Sequence, residues 1–148
     1  MVSEREPFVA EVRLLLPPLE GAELVAVRAA EVVGRNAGFR TETLDAVGIA
    51  LAEACLNGFE HGRNEGGIMV RLALEEGEGR PTAILAEVED HGVGFGARRS
   101  RRTGRGGGRL KKRGWGLVLM RELMDEVDVE SVPGHTVVRM RKYREDRG

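Results

Sequence analysis

Between Ala46 and Phe59 the chain reads AVGIALAEACLNGF, a run in which only Glu53 and Asn57 are strongly polar. The spacing predicts a helix from about Thr43 to Phe59, with Thr41 or Thr43 as N-cap and the acidic Glu42 and Asp45 near its positive end. Glu53 and Asn57 stand four residues apart and project from one face of that helix. A carboxylate in so apolar a setting costs free energy unless something pairs with it. Two readings of the pair follow. Glu53 is bonded to a neighbouring strand or lies at a solvent-facing edge, or the helix walls a ligand cavity. In a cavity, an amide oxygen can hold a hard cation and a carboxylate can orient water or a hydroxyl.

Around this helix the pattern alternates between periods of two and of 3.6. Residues 8–16 (FVAEVRLLL) read as a strand stopped by Pro17-Pro18, since proline cannot donate to a ladder. Residues 19–35 carry helical spacing, with Leu24, Val25, Arg28, Ala29, Val32 and Val33 in one stripe. Strands are expected at 67–75 and 82–90, joined by a Glu-Gly-Glu-Gly-Arg-Pro hairpin loop. A third helix is expected from near Trp115 to before Asp128. A strand at 126–132, a turn at Pro133-Gly134 and a strand at 135–143 complete the pattern, and the charged tail at 144–148 is expected to fray. This order predicts an α+β domain: a two-layer α/β sandwich with a mixed, mostly antiparallel sheet and helices on one face.

Length and charge narrow the classes. The sequence has 148 residues and 41% hydrophobic content, enough for one domain with a real core. Formal net charge is −1, which argues against a surface built wholly as a polyanion clamp. The average conceals an asymmetry: residues 91–113 hold nine Lys or Arg and no Asp or Glu, leaving 14 basic and 24 acidic residues elsewhere. The same segment is mostly Gly and Arg and lacks apolar periodicity, so it reads as a long functional or disordered loop. Cys55 is the sole cysteine, which leaves no intrachain disulfide and no multi-cysteine metal site. The N-terminal MVSEREPF lacks the basic start and apolar run of a signal peptide, and no stretch reaches the roughly 20 apolar residues of a membrane span. A reducing cytoplasm is the expected compartment.

Two further motifs bear on chemistry. In VEDHGVGFG (88–96) a strand ends at Asp90 and glycines follow at 92, 94 and 96. An ionised Asp is acceptor-only and suits an exocyclic amine, while adjacent glycines let backbone approach a flat ring. A strand followed by a plain glycine turn is the alternative. In RGGGRLKKRGWGLVLMREL (105–123) a Gly-rich loop leads into a helix start, a sensible phosphate cradle because free N–H groups and the helix dipole favour negative charge. Lys111 and Lys112 do not stand in a Gly-Lys-Ser/Thr pattern, so it is not a P-loop.

In combination and order, the Glu-x-x-x-Asn helix, the Asp-x-Gly-x-Gly turn and the Gly-x-Gly-Leu helix start resemble the N, G1 and G2 boxes of the GHKL (Bergerat-fold) ATPases. LAEACLNGFEHG (51–62), RGWGLVLMRELMDEVDVES (113–131) and GHTVVRMRK (134–142) are similar to the small serine kinases that act as anti-sigma factors. The resemblance spans residues 8–143 and implies a single ATP-binding kinase domain with a lid at 96–113. It implies Asn57 as the Mg²⁺ ligand, Glu53 as general base or water-orienting group, and Asp90 at the adenine amine. Gly92 and Gly94 would shape the adenine pocket, and Gly114, Gly116 and Leu117 would meet the nucleotide at the third helix. The lid departs from the usual pattern in its richness in Arg and Gly. His61 fits the family wording, although a lone His after a helix is more often structural.

The function this implies is a serine/threonine kinase that uses ATP and Mg²⁺ to phosphorylate a small anti-anti-sigma (STAS-type) protein, with a sigma factor as a further partner and a homodimer as the implied assembly. A related switch kinase in another signalling complex fits the same motifs. Two other classes stay open: a non-catalytic ATP-gated binding module, and a nucleic-acid binder using the Arg/Gly-rich run. Against the last, the run lacks interleaved aromatics and the body is acidic. A histidine kinase would need a helical dimerisation domain, and a gyrase- or chaperone-type ATPase a transducer domain, for which the sequence has no room.

Overall fold

The computed structural model describes residues 8–62, 67–91 and 116–145, with side-chain environments from residue 10 to 60 in the first of these. Five strands and three helices make up this part: β1 (Phe8–Leu16), α1 (Glu23–Asn36), α2 (Thr41–Gly62), β2 (Ile68–Gly77), β3 (Arg80–Asp90), α3 (described over 116–123), β4 (Glu126–Val132) and β5 (His135–Tyr143). The strands form one sheet in the order β1-β2-β3-β5-β4. All four pairings are antiparallel, so among the described residues the expected mixed sheet is antiparallel throughout. The helices supply the second layer, as the α+β reading requires.

The alternation of β2 and β3 sorts their side chains by face. Val70, Leu72, Leu74, Ile84, Ala86 and Val88 are buried towards the helices, where they meet Val47, Ala50, Leu51, Ala54 and Cys55 of α2 and Met120 of α3 in one core. The other face carries cross-strand ion pairs. Arg71 bridges Glu11 at 2.7 Å and Glu87 at 3.3 Å, Arg139 reaches Glu87 at 3.1 Å, and Arg141 holds Glu75 through two nitrogens at 3.0 and 2.7 Å. The bond to Glu75 pushes the already high pKa of Arg141 further up. Between β2 and β3 the turn is tighter than the six-residue loop expected. Gly77 and Arg80 already pair, and Glu78 (φ 53°) and Gly79 (φ 81°) take the left-handed region, as a two-residue hairpin turn needs.

Helix α1 packs by small residues. Ala22, just before it, and Ala26, Ala30 and Gly34 within it are buried, so its backbone lies close to its neighbours. The stripe of larger side chains on α1 is split instead: Leu24, Val25 and Val32 are exposed, Ala29 and Val33 pack partly buried against the core, and with Val12 and Arg28 they line an open groove of about 610 Å³. Helix α2 begins at Thr41, so Thr41 and Thr43 lie in its first turn rather than before it, and Thr43 is buried there.

Arg144, placed by the sequence in a fraying tail, is anchored. Its guanidinium donates to Ala37 O at 2.6 Å, Gly38 O at 3.0 Å and Pro81 O at 3.0 Å, and lies 4.7 Å from the centroid of the Phe39 ring. It thereby satisfies carbonyls beyond the C-terminus of α1, where a cation is favoured. No helix among the described residues is long and apolar enough to cross a membrane.

Candidate functional site

Glu53 and Asn57 sit one turn apart on α2, on the flank of the helix that is neither fully buried nor fully exposed. Between and beside them Ala54, Cys55 and Gly58 are buried, while Leu56 is exposed. The pair therefore stands at the edge of the core, and Glu53 is not fully buried. Across from it comes the start of described α3. A β-carbon built on Gly116 would lie 2.6 Å from Glu53 Oε1 and 3.5 Å from Asn57 Nδ2. Glycine at 116 is what allows α3 to approach these two polar groups so closely.

Asp90 ends β3 on the core-facing side and is 4% exposed. Its position relative to α2 follows from Val88, two residues earlier on the same face. A β-carbon on Gly58, the residue after Asn57, would lie 3.6 Å from Val88 Cγ1 and 3.2 Å from Ile68 Cγ2. The end of β3 thus lies under the C-terminal turns of α2. Leu117, the residue after Gly116, is partly buried and packs against the core. Gly92, Gly94, Gly114, Trp115 and the 96–113 lid lie outside the described residues, as does the side chain of His61.

One polar residue near this site was not singled out by the sequence. Thr136 of β5 lies in register with Asp90 and is equally buried at 4% exposed. Its Oγ1 is 3.0 Å from Ser131 Oγ. In a strand, Thr is an ordinary β-former, and only the register of β3 and β5 sets it opposite Asp90.

Chemically, the flank of α2 offers a carboxylate and an amide one turn apart beside the first described residues of α3, with Glu53 Oε1 and Asn57 Nδ2 the atoms nearest Gly116. A carboxylate oxygen and an amide Oδ1 are donor types that suit a hard cation such as Mg²⁺. The donor set therefore fits the cation expected at Asn57. Cys55, although two residues from Glu53, offers no nucleophile: burial, with a smaller contribution from the charge of Glu23, pushes its thiol up to about 12.

The sequence profile of one family, the histidine kinase-like ATPase domain, matches residues 18–142. No curated protein matches the chain. Among solved structures, the RsbU and RsbW domains of Rv1364c from Mycobacterium tuberculosis superpose with a TM-score of 0.68 at 20% identity, over 94% of this chain and 34% of that one. The SiaB-SiaC complex from Pseudomonas aeruginosa gives a TM-score of 0.56 at 13% identity, over 95% of this chain and 92% of that one. The chain thus spans about a third of the length of the mycobacterial chain. At these identities the likeness is one of fold.

Proposed function

The chain belongs to the histidine kinase-like ATPase family, and on that premise we propose that it is an ATP-dependent serine/threonine protein kinase acting as an anti-sigma factor or switch kinase. Its substrate is a small STAS-type antagonist protein, with a sigma factor as the alternative partner, in the cytoplasm. The observation that carries this reading is the convergence of Glu53, Asn57 and Gly116 at the start of α3. Two solved structures of similar fold are an RsbW-containing protein and SiaB in complex with SiaC, which supports a role exercised on a protein partner.

Each residue has a task in phosphoryl transfer, where positioning and electrostatics dominate over covalent work by the protein. Asp90 accepts a hydrogen bond from the adenine amine, with the polar Thr136 in register beside it. Asn57 would hold Mg²⁺ through its amide oxygen, and the ion would supply charge neutralisation at the phosphates. Glu53 accepts the proton of the attacking serine or threonine hydroxyl. The glycines at 92, 94 and 114 complete the nucleotide pocket as the family resemblance implies, and Leu117 fixes the helix start against the core.

The test is single-turnover transfer from labelled ATP to a partner co-purified from the native host. Glu53→Gln should retain nucleotide affinity and slow transfer by about 10²–10⁴-fold. Absence of transfer by the unaltered protein to any native partner would instead favour an ATP-gated binding module.

A further inference from the structure

At the end of the β3–β5 ladder that carries Asp90, but on the opposite face of the sheet, lie three groups that the kinase reading leaves without a task. Glu89 and His91 stand two residues apart at the end of β3, so they share one side of the sheet. The register pairs Asp90 with Thr136, and one further step places His91 opposite His135, the first residue of β5. The two imidazoles stack with centroids 5.0 Å apart and planes 12° from parallel. Both turn Nε2 towards the same carboxylate oxygen: Glu89 Oε2 is 2.5 Å from His135 Nε2 and 3.4 Å from His91 Nε2. All three candidate ligand atoms lie within 4.8 Å of one another.

We propose that Glu89, His91 and His135 form a binding site for a divalent transition metal, with Zn²⁺ as the best-fitting ion. Two imidazole nitrogens and one carboxylate oxygen are a donor set for zinc and its neighbours, not for Mg²⁺ or Ca²⁺, which take oxygen ligands. Tetrahedral zinc with bonds of about 2.0–2.1 Å places its ligand atoms about 3.3 Å apart. The His91–Glu89 separation already matches that edge, His135 must open outward from Glu89 by less than an ångström, and the two stacked rings must turn so that their Nε2 lone pairs converge. Side-chain rotation suffices, because the ladder fixes the backbones and all three side chains are at least a third exposed. In the ligating form each imidazole is neutral, carries its proton on Nδ1 and gives the Nε2 lone pair to the ion. The hydrogen bond from His135 and the contact from His91 to Glu89 are then replaced by bonds to the metal. Three protein ligands leave a fourth position for water. The ion would staple the residue following Asp90 to the start of β5, a role independent of whether the domain transfers phosphate.

The test is calorimetric titration of the tag-free, nucleotide-free protein with Zn²⁺, alongside the absorption spectrum of its Co²⁺ adduct. One equivalent of Zn²⁺ should bind, and Co²⁺ should show the intense visible bands of four-coordination, while Mg²⁺ gives no heat at this site. Since loss of a supporting group alone typically costs about 10–100-fold in affinity, His91→Ala and His135→Ala should each cost at least about 100-fold. Circular dichroism confirms folding of the variants. In the unaltered protein, Zn²⁺ should shield His91 and His135 from diethyl pyrocarbonate, read by mass spectrometry. Undiminished Zn²⁺ binding in the double variant, a six-coordinate Co²⁺ spectrum, or equal modification of both histidines with and without Zn²⁺ would overturn the site.

Discussion

A β-carbon at Gly116 would stand 2.6 Å from Glu53 Oε1, so the described start of α3 and the Glu53 carboxylate adjoin with no room for a methyl group. The neighbour is the tip of a flexible side chain, and Gly116→Ala can be accommodated by turning that carboxylate away. Alanine is also the better helix former by about 1 kcal/mol. Stability should therefore hold or rise while transfer falls, by about 10²-fold if Glu53 moves by an ångström. Thermal melting and single-turnover transfer on the same preparation check this. A variant that loses stability and activity in parallel would make Gly116 a packing residue only.

If Asn57 and Asp90 hold Mg²⁺ and adenine, their contributions should separate by ligand. Loss of a hydrogen bond to a charged group costs about 1.5–3 kcal/mol, or roughly a 10- to 150-fold weakening. Asp90→Asn should weaken ATP, ADP and adenosine alike, whereas Asn57→Ala should weaken ATP only when Mg²⁺ is present. Calorimetry with each ligand, with and without Mg²⁺, reads both. Equal losses in the two metal conditions for Asn57→Ala would remove it as the metal-holding residue.

The sequence was most informative where polarity contrasts with its surroundings or where period-two alternation is bounded by turn residues. Glu53 and Asn57 stand out because the Ala46–Phe59 stretch of α2 is otherwise apolar, and β4 and β5 run over the expected 126–132 and 135–143 because Pro133-Gly134 separates them. Helix α1 was harder to read. Hydrophobic periodicity ranks Leu24, Val25 and Val32 as its main face, yet close packing selects Ala26, Ala30 and Gly34, whose value lies in small volume. Relations set by register were out of reach as well. That Thr136 faces Asp90, or that His91 and His135 share Glu89, depends on how β3 slides against β5, and neither strand encodes that alone.

Arg144 provides a test of long-range anchoring. It spans from the end of β5 to the carbonyls of Ala37, Gly38 and Pro81 and covers Phe39. Arg144→Ala should lower stability by about 2 kcal/mol, given that hydrogen bonds to charged groups contribute about 1.5–3 kcal/mol. Arg40, whose partners Glu42 and Glu145 lie at 3.9 and 3.4 Å on the surface, is the contrasting case. Exposed ion pairs contribute about 0–1 kcal/mol, so Arg40→Ala should be nearly silent. Urea midpoints of the two variants measure the difference, and equal midpoints would mean that the Arg144 contacts add nothing beyond a surface pair.

The solvated face of the sheet makes a prediction about acid. Glu11 is held below its ordinary value of 4.5 by hydrogen bonds from Arg71 and then Arg13, and Glu126 by hydrogen bonds from Tyr143 and then Arg141. Because the folded state favours the ionised form, each pair stabilises the fold above pH 4.5, where the unfolded carboxyl is also ionised. That contribution fades as pH falls through the lower folded values. Both carboxylates are solvent-screened, so the effect of each is small and should shrink further in high salt. Glu11→Gln should therefore destabilise the protein slightly at pH 7 and low salt, and this deficit should be smaller at pH 3, below the ordinary value of 4.5, where the unfolded carboxyl takes up its proton. Urea denaturation of both proteins at the two pH values, with and without 1 M NaCl, reads the change. A deficit of the same size at pH 3 and pH 7 would show that Glu11 acts through packing and neutral hydrogen bonding rather than through its charge on Arg71.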